Sequence, residues 1–456
     1  MGSLGAASAA VVNVQVSPED ERAYRHLSLA NGMQILLIQD VETDKAAASM
    51  DVKVGQLSDP PQAQGLAHFC EHMLFLGTKA HPEENSYSAF LAKNAGWSNA
   101  FTSVEDTNYF FEVAHDKLRE ALSIFSHFFI SPLFTESCTE RELTAVDNEN
   151  SKNLQSDQWR VQQLYRSLSN PEHPYSKFGT GNMETLRDTP AKEGVDIRAE
   201  LLAFHAKFYS ANQMCLSIVG RESLDEMQGW VTESFSPVVN KGCGRPSFVD
   251  HPPAFGPQET GKRICMKPVK ELREVQILFP IHSVEKLFMS KPQRYLSHLI
   301  GHEGKGSLLS WLKEKGWANE LCAGIFMEHS DWSGFGVHVE CTEEGLDNAD
   351  QIIEAVFSYI GMLRREGPKE WIFEETKKLA DIGFRFANKK TPSNTVLSHS
   401  GNMQSLPPEL CVAGAQLLYE YAPAEIEAIL LRLVPSNMVL VQVGKRYEDV
   451  VDCKER

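Results

Sequence analysis

Apolar runs of strand length, separated by turn residues, open the chain. Residues 27–30 and 33–38 flank Asn31 and Gly32. Because an Asn-Gly pair between apolar runs is a strong hairpin signal, this segment predicts two antiparallel strands. Residues 116–130 repeat their apolar positions with helical spacing and predict an amphipathic helix. The other elements that the pattern predicts are strands at 47–54, 214–219 and 275–280, and a helix at 198–209.

Residues 237–257 interrupt the pattern. They hold many Pro and Gly residues without clear periodicity, which predicts a linker between two domains. The parts on either side resemble each other, because residues 90–100 parallel 311–320 and residues 210–216 parallel 436–440. The sequence therefore predicts an α+β protein of two homologous domains. The predicted division is a flexible N-terminus at 1–20, a first domain at 21–236, the linker, and a second domain at 258–456.

Composition narrows the class of protein. Hydrophobic residues make up 42% and charged residues 23% of the chain, as in ordinary globular proteins. A net charge of -17 argues against nucleic acid as a partner. The nine Cys are scattered without a CxxC pair, which predicts reduced thiols and a cytoplasmic location. The start of the chain is poor in Arg, which makes mitochondrial import less favoured. No apolar stretch reaches about eighteen residues, so no membrane span is predicted.

The strongest chemical signal is the pentapeptide from His68 to His72, which reads H-x-x-E-H. It is the reverse of the H-E-x-x-H zinc signature. On a helix, residues four apart share one face, so both imidazoles can reach a single ion. Glu71 lies beside that ion and is free to handle a proton. A hydrogen-bonded pair of core histidines is the alternative, and a third ligand would distinguish the two readings.

Two carboxylates are candidates for that third ligand. Ser137 and Glu140 resemble the S-x-x-E capping box that opens a helix. Glu142 and Glu149 follow on it, seven residues apart and close to one stripe. Inward-facing carboxylates need a cation or a proton to be tolerated. A solvated acidic face is an equal alternative on this pattern alone, because Asp147 lies nearby.

Longer strings carry a family resemblance. The chain resembles the insulysin branch of the pitrilysin-type zinc metallopeptidases, a similarity that runs from about residue 20 to near the C-terminus. The matching strings are GLAHFCEHMLFLG (65–77), SNAFTS (98–103), DTNYFF (106–111), AVDNE (145–149) and NPEHPYSKFGTGN (170–182).

The resemblance implies a fold and a set of roles. Each domain would be a mainly antiparallel sheet packed with helices, catalytic in the first domain and non-catalytic in the second. His68, His72 and Glu149 would bind one Zn²⁺, and Glu71 would be the general base for peptide-bond hydrolysis. Glu142 would support the ligand set from behind.

The same resemblance implies where peptides bind. Asn99, Ala100 and Phe101 would lie on an exposed strand edge that pairs with the substrate backbone. An apolar pocket and an exosite for the peptide's N-terminal end complete the prediction. Core packing, or for the exosite a turn that Gly permits, is the alternative for these residues. The pocket candidates are Phe75, Phe101 and Trp159, and the exosite candidates are His298, Gly301, Glu303, Leu321 and Ala323.

Length sets the expectations about assembly. Insulysins are about twice as long, with four related domains in two halves, and the chain corresponds to the half with the metal. We therefore expect peptide substrates and either a homo-oligomer or pairing with a chain that resembles the C-terminal half. Three alternatives stay open. They are a processing-peptidase subunit that acts with a second chain, a non-catalytic scaffold, and a truncated form that binds peptide but turns it over poorly.

Overall fold

A computed structural model describes residues 12–450. The described chain forms two compact units, each assembled from separate stretches of sequence. Unit 1 comprises the described part of Met1–Ser151, with Lys177–Pro246 and Phe384–Ala415. Unit 2 comprises Lys152–Ser176, Ser247–Gly383 and the described part of Gln416–Arg456.

The strands within the described residues are, in chain order, β1 (Ala23–Ser28), β2 (Gln34–Gln39), β3 (Lys45–Val52), β4 (Trp97–Thr102), β5 (Thr107–Ala114), β6 (Met214–Gly220), β7 (Lys262–Met266), β8 (Arg273–His282), β9 (Ala318–Glu328), β10 (Trp332–Cys341) and β11 (Val439–Gly444).

The α-helices within the same residues are α1 (Leu66–Leu74), α2 (Ser86–Lys93), α3 (Leu118–Ile130), α4 (Glu136–Asn153), α5 (Asp157–Leu168), α6 (Thr189–Lys192), α7 (Ile197–Phe208), α8 (Leu224–Phe235), α9 (Pro292–Ile300), α10 (Leu308–Glu314), α11 (Glu343–Asp347), α12 (Ala349–Glu366), α13 (Glu370–Arg385), α14 (Pro392–Ser405) and α15 (Pro423–Arg432). No described helix is both long enough and apolar enough to cross a bilayer.

The sheet of unit 1 runs in the order β1-β2-β6-β3-β5-β4. The predicted hairpin is confirmed, since β1 and β2 pair antiparallel and Gly32 adopts a φ of +87° in their turn. Strands β2 and β6 are parallel, and the other neighbours are antiparallel. Strand β4 therefore lies at one edge of the sheet, with one side unpaired.

The sheet of unit 2 repeats this arrangement without the first strand. Its order is β7-β11-β8-β10-β9, with β7 and β11 parallel and the other neighbours antiparallel. Each of these strands takes the place that β2, β6, β3, β5 or β4 holds in unit 1. In both units, two α-helices connect an inner strand (β3 or β8) to the edge strand (β4 or β9). The predicted α+β fold class with two homologous, mainly antiparallel sheets is confirmed.

Both faces of the inner strands of the unit 1 sheet are buried. Ile35 and Leu37 of β2 join the core that contains α1 and α3. The alternate residues, Leu36 and Ile38, face the other side, where they pack with Val396 of α14. A strand that is covered on both faces needs apolar residues at consecutive positions, which explains the unbroken run in β2.

Each unit borrows a helix from distant sequence to cover one sheet face. In unit 1 this is α14, whose Ser400 hydroxyl lies 2.8 Å from the Ser49 hydroxyl of β3. In unit 2 it is α5, whose Tyr165 hydroxyl donates to Gln276 of β8 over 3.3 Å. The compact units thus differ from the contiguous domains at 21–236 and 258–456, whose boundaries stay a prediction. Residues 1–11 and 451–456 of the predicted division lie outside the described residues.

Candidate metal centre

Helix α1 carries the H-x-x-E-H motif and is anchored at its N-terminus. The buried Asp59 carboxylate accepts hydrogen bonds from the backbone N–H groups of Gly65 and Ala67, each over 2.7 Å. Most of the helix is buried in the apolar core, including Phe69 and Met73. A capped and buried helix of this kind holds its remaining polar side chains in fixed positions.

The two histidines of the motif are oriented through their Nδ1 atoms. His68 Nδ1 lies 2.7 Å from the Thr180 carbonyl oxygen, which can only accept, so the ring donates there. In the neutral ring this leaves the lone pair on Nε2, the atom that can bind a metal ion. His72 Nδ1 lies 3.1 Å from Glu142 Oε2. Such partners fix the tautomer and rotation of imidazoles that bind metals.

Glu149 of α4 completes a three-residue group. Its Oε2 lies 3.7 Å from His68 Nε2 and 3.5 Å from His72 Nε2. One ligand atom from each residue falls within 4.8 Å of the others, so the group could hold a metal ion. Ligands about 2.1 Å from a tetrahedral zinc ion lie about 3.4 Å apart, so the spacing and the donor types fit zinc.

The electrostatics of the group also fit a cation. Burial lowers the pKa of His72, but hydrogen bonds to Glu142 and Glu149 outweigh it and raise that pKa to about 9. The surroundings of His72 therefore favour a positive charge.

The predicted capping box is wrong, because helix α4 begins at Glu136 and Ser137 lies inside its first turn. The spacing of Glu142 and Glu149 still brings both carboxylates to His72.

Glu71 lies between the two histidines in sequence and is only 7% exposed. Burial raises its pKa, while the nearby His68 and a hydrogen bond from Thr102 oppose the rise. Thr102, the last residue of β4, donates its hydroxyl to Glu71 Oε2 over 2.6 Å. This bond fixes the orientation of the Glu71 carboxylate.

The substrate candidates of unit 1 divide between the edge strand and the core. Asn99 and Phe101 are exposed on β4, and Ala100 faces inward against the core. Phe75 lies in an aromatic cluster, with its ring centroid 5.2 Å from that of Phe128 and 6.0 Å from that of Tyr109. The structure therefore places Phe75 among core side chains.

The remaining candidates belong to unit 2. Trp159 is exposed on α5, and His298 is half-buried on α9. Leu321 is buried in the core of this unit, and Ala323 packs against that core. Gly301 lies against Ala323, because a Cβ added to it would come within 3.6 Å of the Ala323 nitrogen. The exposed Glu303 follows in the loop after α9. Gly301, Leu321 and Ala323 thus lie where α9 meets β9, and the substrate roles stay predictions.

Three residues that contact the motif were not singled out from the sequence. Asp59 caps α1, Thr102 bonds Glu71, and Thr180 bonds His68 through its backbone carbonyl. Thr102 and Thr180 lie inside the strings that carry the family resemblance, which was their only signal. A backbone carbonyl gives no signal of its own, because every residue carries one.

Comparison with known proteins identifies the family. Three family models match consecutive segments of the chain. They are "Insulinase (Peptidase family M16)" at residues 34–172, "Peptidase M16 inactive domain" at 196–379, and "Middle or third domain of peptidase_M16" at 384–456. The chain belongs to peptidase family M16.

Individual M16 proteins extend the match. Human insulin-degrading enzyme is 47% identical over 97% of the chain, which spans 43% of that relative. The crystal structure of pitrilysin superposes with a TM-score of 0.92 at 30% identity and covers 95% of the chain, which spans 46% of it. A protease from Helicobacter pylori shares the fold alone, with a TM-score of 0.73 at 17% identity; its structure covers 93% of the chain, which spans 99% of it. The chain thus spans less than half the length of both human insulin-degrading enzyme and pitrilysin.

The family assignment confirms several predictions. The insulysin resemblance is confirmed, as is membership in a family of zinc metalloproteases. Zinc is confirmed as the cofactor that the family uses and that the group of His68, His72 and Glu149 fits.

Proposed function

We propose that the chain is a zinc metalloendopeptidase that hydrolyses peptide bonds in oligopeptides. The observation that carries the proposal is the convergence of His68 Nε2, His72 Nε2 and Glu149 Oε2, with the buried Glu71 on the same helix. A group of three protein ligands leaves a position open, as catalytic zinc sites require.

Each residue has a distinct task in this proposal. His68, His72 and Glu149 would hold the zinc ion, which when bound polarises the scissile carbonyl and lowers the pKa of water. Glu71 accepts a proton from the attacking water and later donates it to the leaving amine. Thr102 holds Glu71 Oε2, so that Glu71 Oε1 handles the proton. Glu142 accepts from His72 Nδ1 and keeps its ring in position.

Substrate would bind along an edge strand. Strand β4 has an unpaired edge, and Asn99 and Phe101 are exposed on it. An extended peptide can add to such an edge through backbone hydrogen bonds. Phe75 is a weaker candidate than Phe101 for an apolar pocket, because its ring packs against Phe128. Strand β9 lies at a comparable edge in unit 2 and carries the exosite candidate Ala323, which lies against Gly301.

A partner chain would supply what the longer relatives contain. Human insulin-degrading enzyme is more than twice as long as the matched region. In unit 2, α13 exposes a stripe formed by Trp371, Leu379 and Ile382, which are 67%, 54% and 57% exposed. Exposed apolar patches mark interaction sites. We propose that this stripe binds a chain resembling the rest of those relatives. Light scattering of a mixture of the two chains measures their association, which Leu379→Glu should abolish. Self-association of this chain, or no binding in the mixture, would contradict the proposal.

We also propose a cytoplasmic location, which the state of the thiols supports. The eight cysteines within the described residues are all free, which supports the cytoplasm as the location. Fractionation of cells that express the chain would test this, and enrichment in mitochondria would contradict it.

The decisive experiment measures hydrolysis of a fluorogenic peptide by the purified chain. We expect cleavage that a chelator abolishes and added zinc restores. A zinc-loaded chain that cleaves only when a second subunit is added would favour the processing-peptidase alternative. That alternative is considered because the Helicobacter protease, a chain of similar length, has this fold.

A further inference from the structure

The metal-binding helix is tied to a distant loop by three residues, which we call the brace: Asp59, Lys177 and Thr180. The Asp59 carboxylate holds the first turn of α1. Lys177 Nζ donates to the Asp59 carbonyl over 2.5 Å and to the Leu57 carbonyl over 3.0 Å. The Thr180 carbonyl then accepts from His68 Nδ1. The brace thus links the start of α1 to the ring of a metal-binding histidine.

Two glycines allow the loop to come this close. Gly65 adopts a φ of +92°, and a Cβ there would lie 2.3 Å from the Gly181 Cα. Gly181 also has a positive φ, of +79°. No larger residue fits this contact without movement of the backbone. Close approach at Gly65 and Gly181 brings the Thr180 carbonyl within 2.7 Å of His68.

We propose that Asp59 is a positioning residue for the metal site, which presets His68 by fixing the first turn of α1 against residues 177–181. The inference rests on the proposed metal role of His68. Asp59 itself does not reach the metal group. It is 2% exposed, and its two carboxylate oxygens are directed at the N–H groups of Gly65 and Ala67.

The expected effect is on metal affinity and on ligand geometry. Without the carboxylate, the first turn of α1 loses its cap, and His68 can rotate away from Thr180. Changes to residues that orient metal ligands lower metal affinity by about 10–100-fold. We expect Asp59→Ala to weaken zinc binding by that factor. Asp59→Asn should lose less, because its amide oxygen still accepts one of the two hydrogen bonds.

The test is competition for zinc against a chromophoric chelator, with the absorption spectrum of the Co²⁺-loaded chain as a report on ligand geometry. The matched control is Asp196→Ala. Asp196 caps α7 in the same unit, accepting from Arg198 and Ala199 over 2.9 and 3.3 Å. We expect weaker zinc binding and an altered Co²⁺ spectrum for the Asp59 variants, and neither change for the control.

Each outcome decides the proposal. Asp59 variants that fold and bind zinc like the wild type would overturn it, as would an equal loss in Asp196→Ala. If Asp59→Ala does not fold, the isosteric Asp59→Asn decides the question. His68→Ala separates the two levels of the argument. Full zinc affinity in His68→Ala would refute the metal site itself. Loss of zinc affinity in His68→Ala, together with full affinity in Asp59→Asn, would refute only the role of the brace.

Discussion

The two sheets share one strand order apart from β1, but the helices beside them differ in chemistry. In unit 1, α1 follows the inner strand β3 and carries His68, Glu71 and His72. In unit 2, α9 follows the corresponding strand β8 and carries His298, with His302 just beyond its end. The rings of His298 and His302 lie 5.9 Å apart, and those of His68 and His72 lie 4.8 Å apart. Both units therefore bring two histidines together near the same helix.

The difference lies in what surrounds each pair. His68 and His72 have partners on both ring nitrogens, and Glu149 joins them from α4. Within residues 12–450, this is the one group of three or more His, Cys, Asp or Glu side chains able to hold a metal. His302 Nδ1 instead accepts from the backbone of Gly304 in its own loop. The two units thus share the placement of a histidine pair, and among the described residues a carboxylate from another helix completes a metal group only in unit 1.

Removal of one histidine from each pair should give the largest difference between the two units, measured as zinc content. We expect His68→Ala to lower the zinc content from about one ion per chain to a trace, because three protein ligands are needed. His302→Ala is the matched control and should keep its zinc. Metal analysis of the purified variants by mass spectrometry checks this, and equal zinc in both would place the ion elsewhere.

Glu71→Gln should retain the metal and lose the reaction. The amide has the shape of the carboxylate but cannot accept a proton from water. We expect peptide hydrolysis to fall by about 10²–10⁴-fold with unchanged zinc content. Thermal unfolding of the variant controls for loss of structure. Turnover close to that of the wild type would remove Glu71 from the mechanism.

Local signals in the sequence predicted part of the fold. The Asn31-Gly32 turn predicted the first hairpin, and helical spacing predicted α3 and α7 to within a few residues. The H-x-x-E-H spacing predicted the face on which His68 and His72 meet. These features depend on residues within a turn or two of each other, so periodicity and turn chemistry are enough to find them.

The features that the sequence did not reveal depend on distant contacts. The exchange of α5 and α14 between the units follows from which sheet face lacks cover, which only tertiary structure specifies. The Thr180 carbonyl contacts His68 across 112 positions. The pattern also left Glu142 and Glu149 open to two interpretations, because helical spacing identifies a stripe without saying what the stripe faces.

Variants of Glu142 and Glu149 should distinguish a metal ligand from a residue that orients a ligand. Glu149→Gln should strip the metal, because it replaces a charged ligand atom beside both Nε2 atoms. Glu142→Gln should weaken zinc binding by only about 10–100-fold, since it contacts His72 Nδ1 from behind. Zinc titration of both variants, with Glu140→Gln as an exposed control on α4, checks the order. The reverse order would exchange the two roles.

The smallest effect is expected in unit 2, where a buried carboxylate stabilises the fold without serving a metal. Asp157 at the start of α5 is 6% exposed and accepts from the backbone N–H groups of Val269 and Lys270, over 2.7 and 2.9 Å. Asp157→Ala leaves these donors without their acceptor, so we expect the free energy of unfolding to fall by about 1–3 kcal/mol. Asp347→Ala removes only an exposed ion pair with Arg446 and should change it by less than about 0.5 kcal/mol. Urea denaturation measures both, and zinc content should stay at the wild-type level in each. Loss of zinc from Asp157→Ala would show that the two units are coupled, and the separation of stability from metal chemistry would fail.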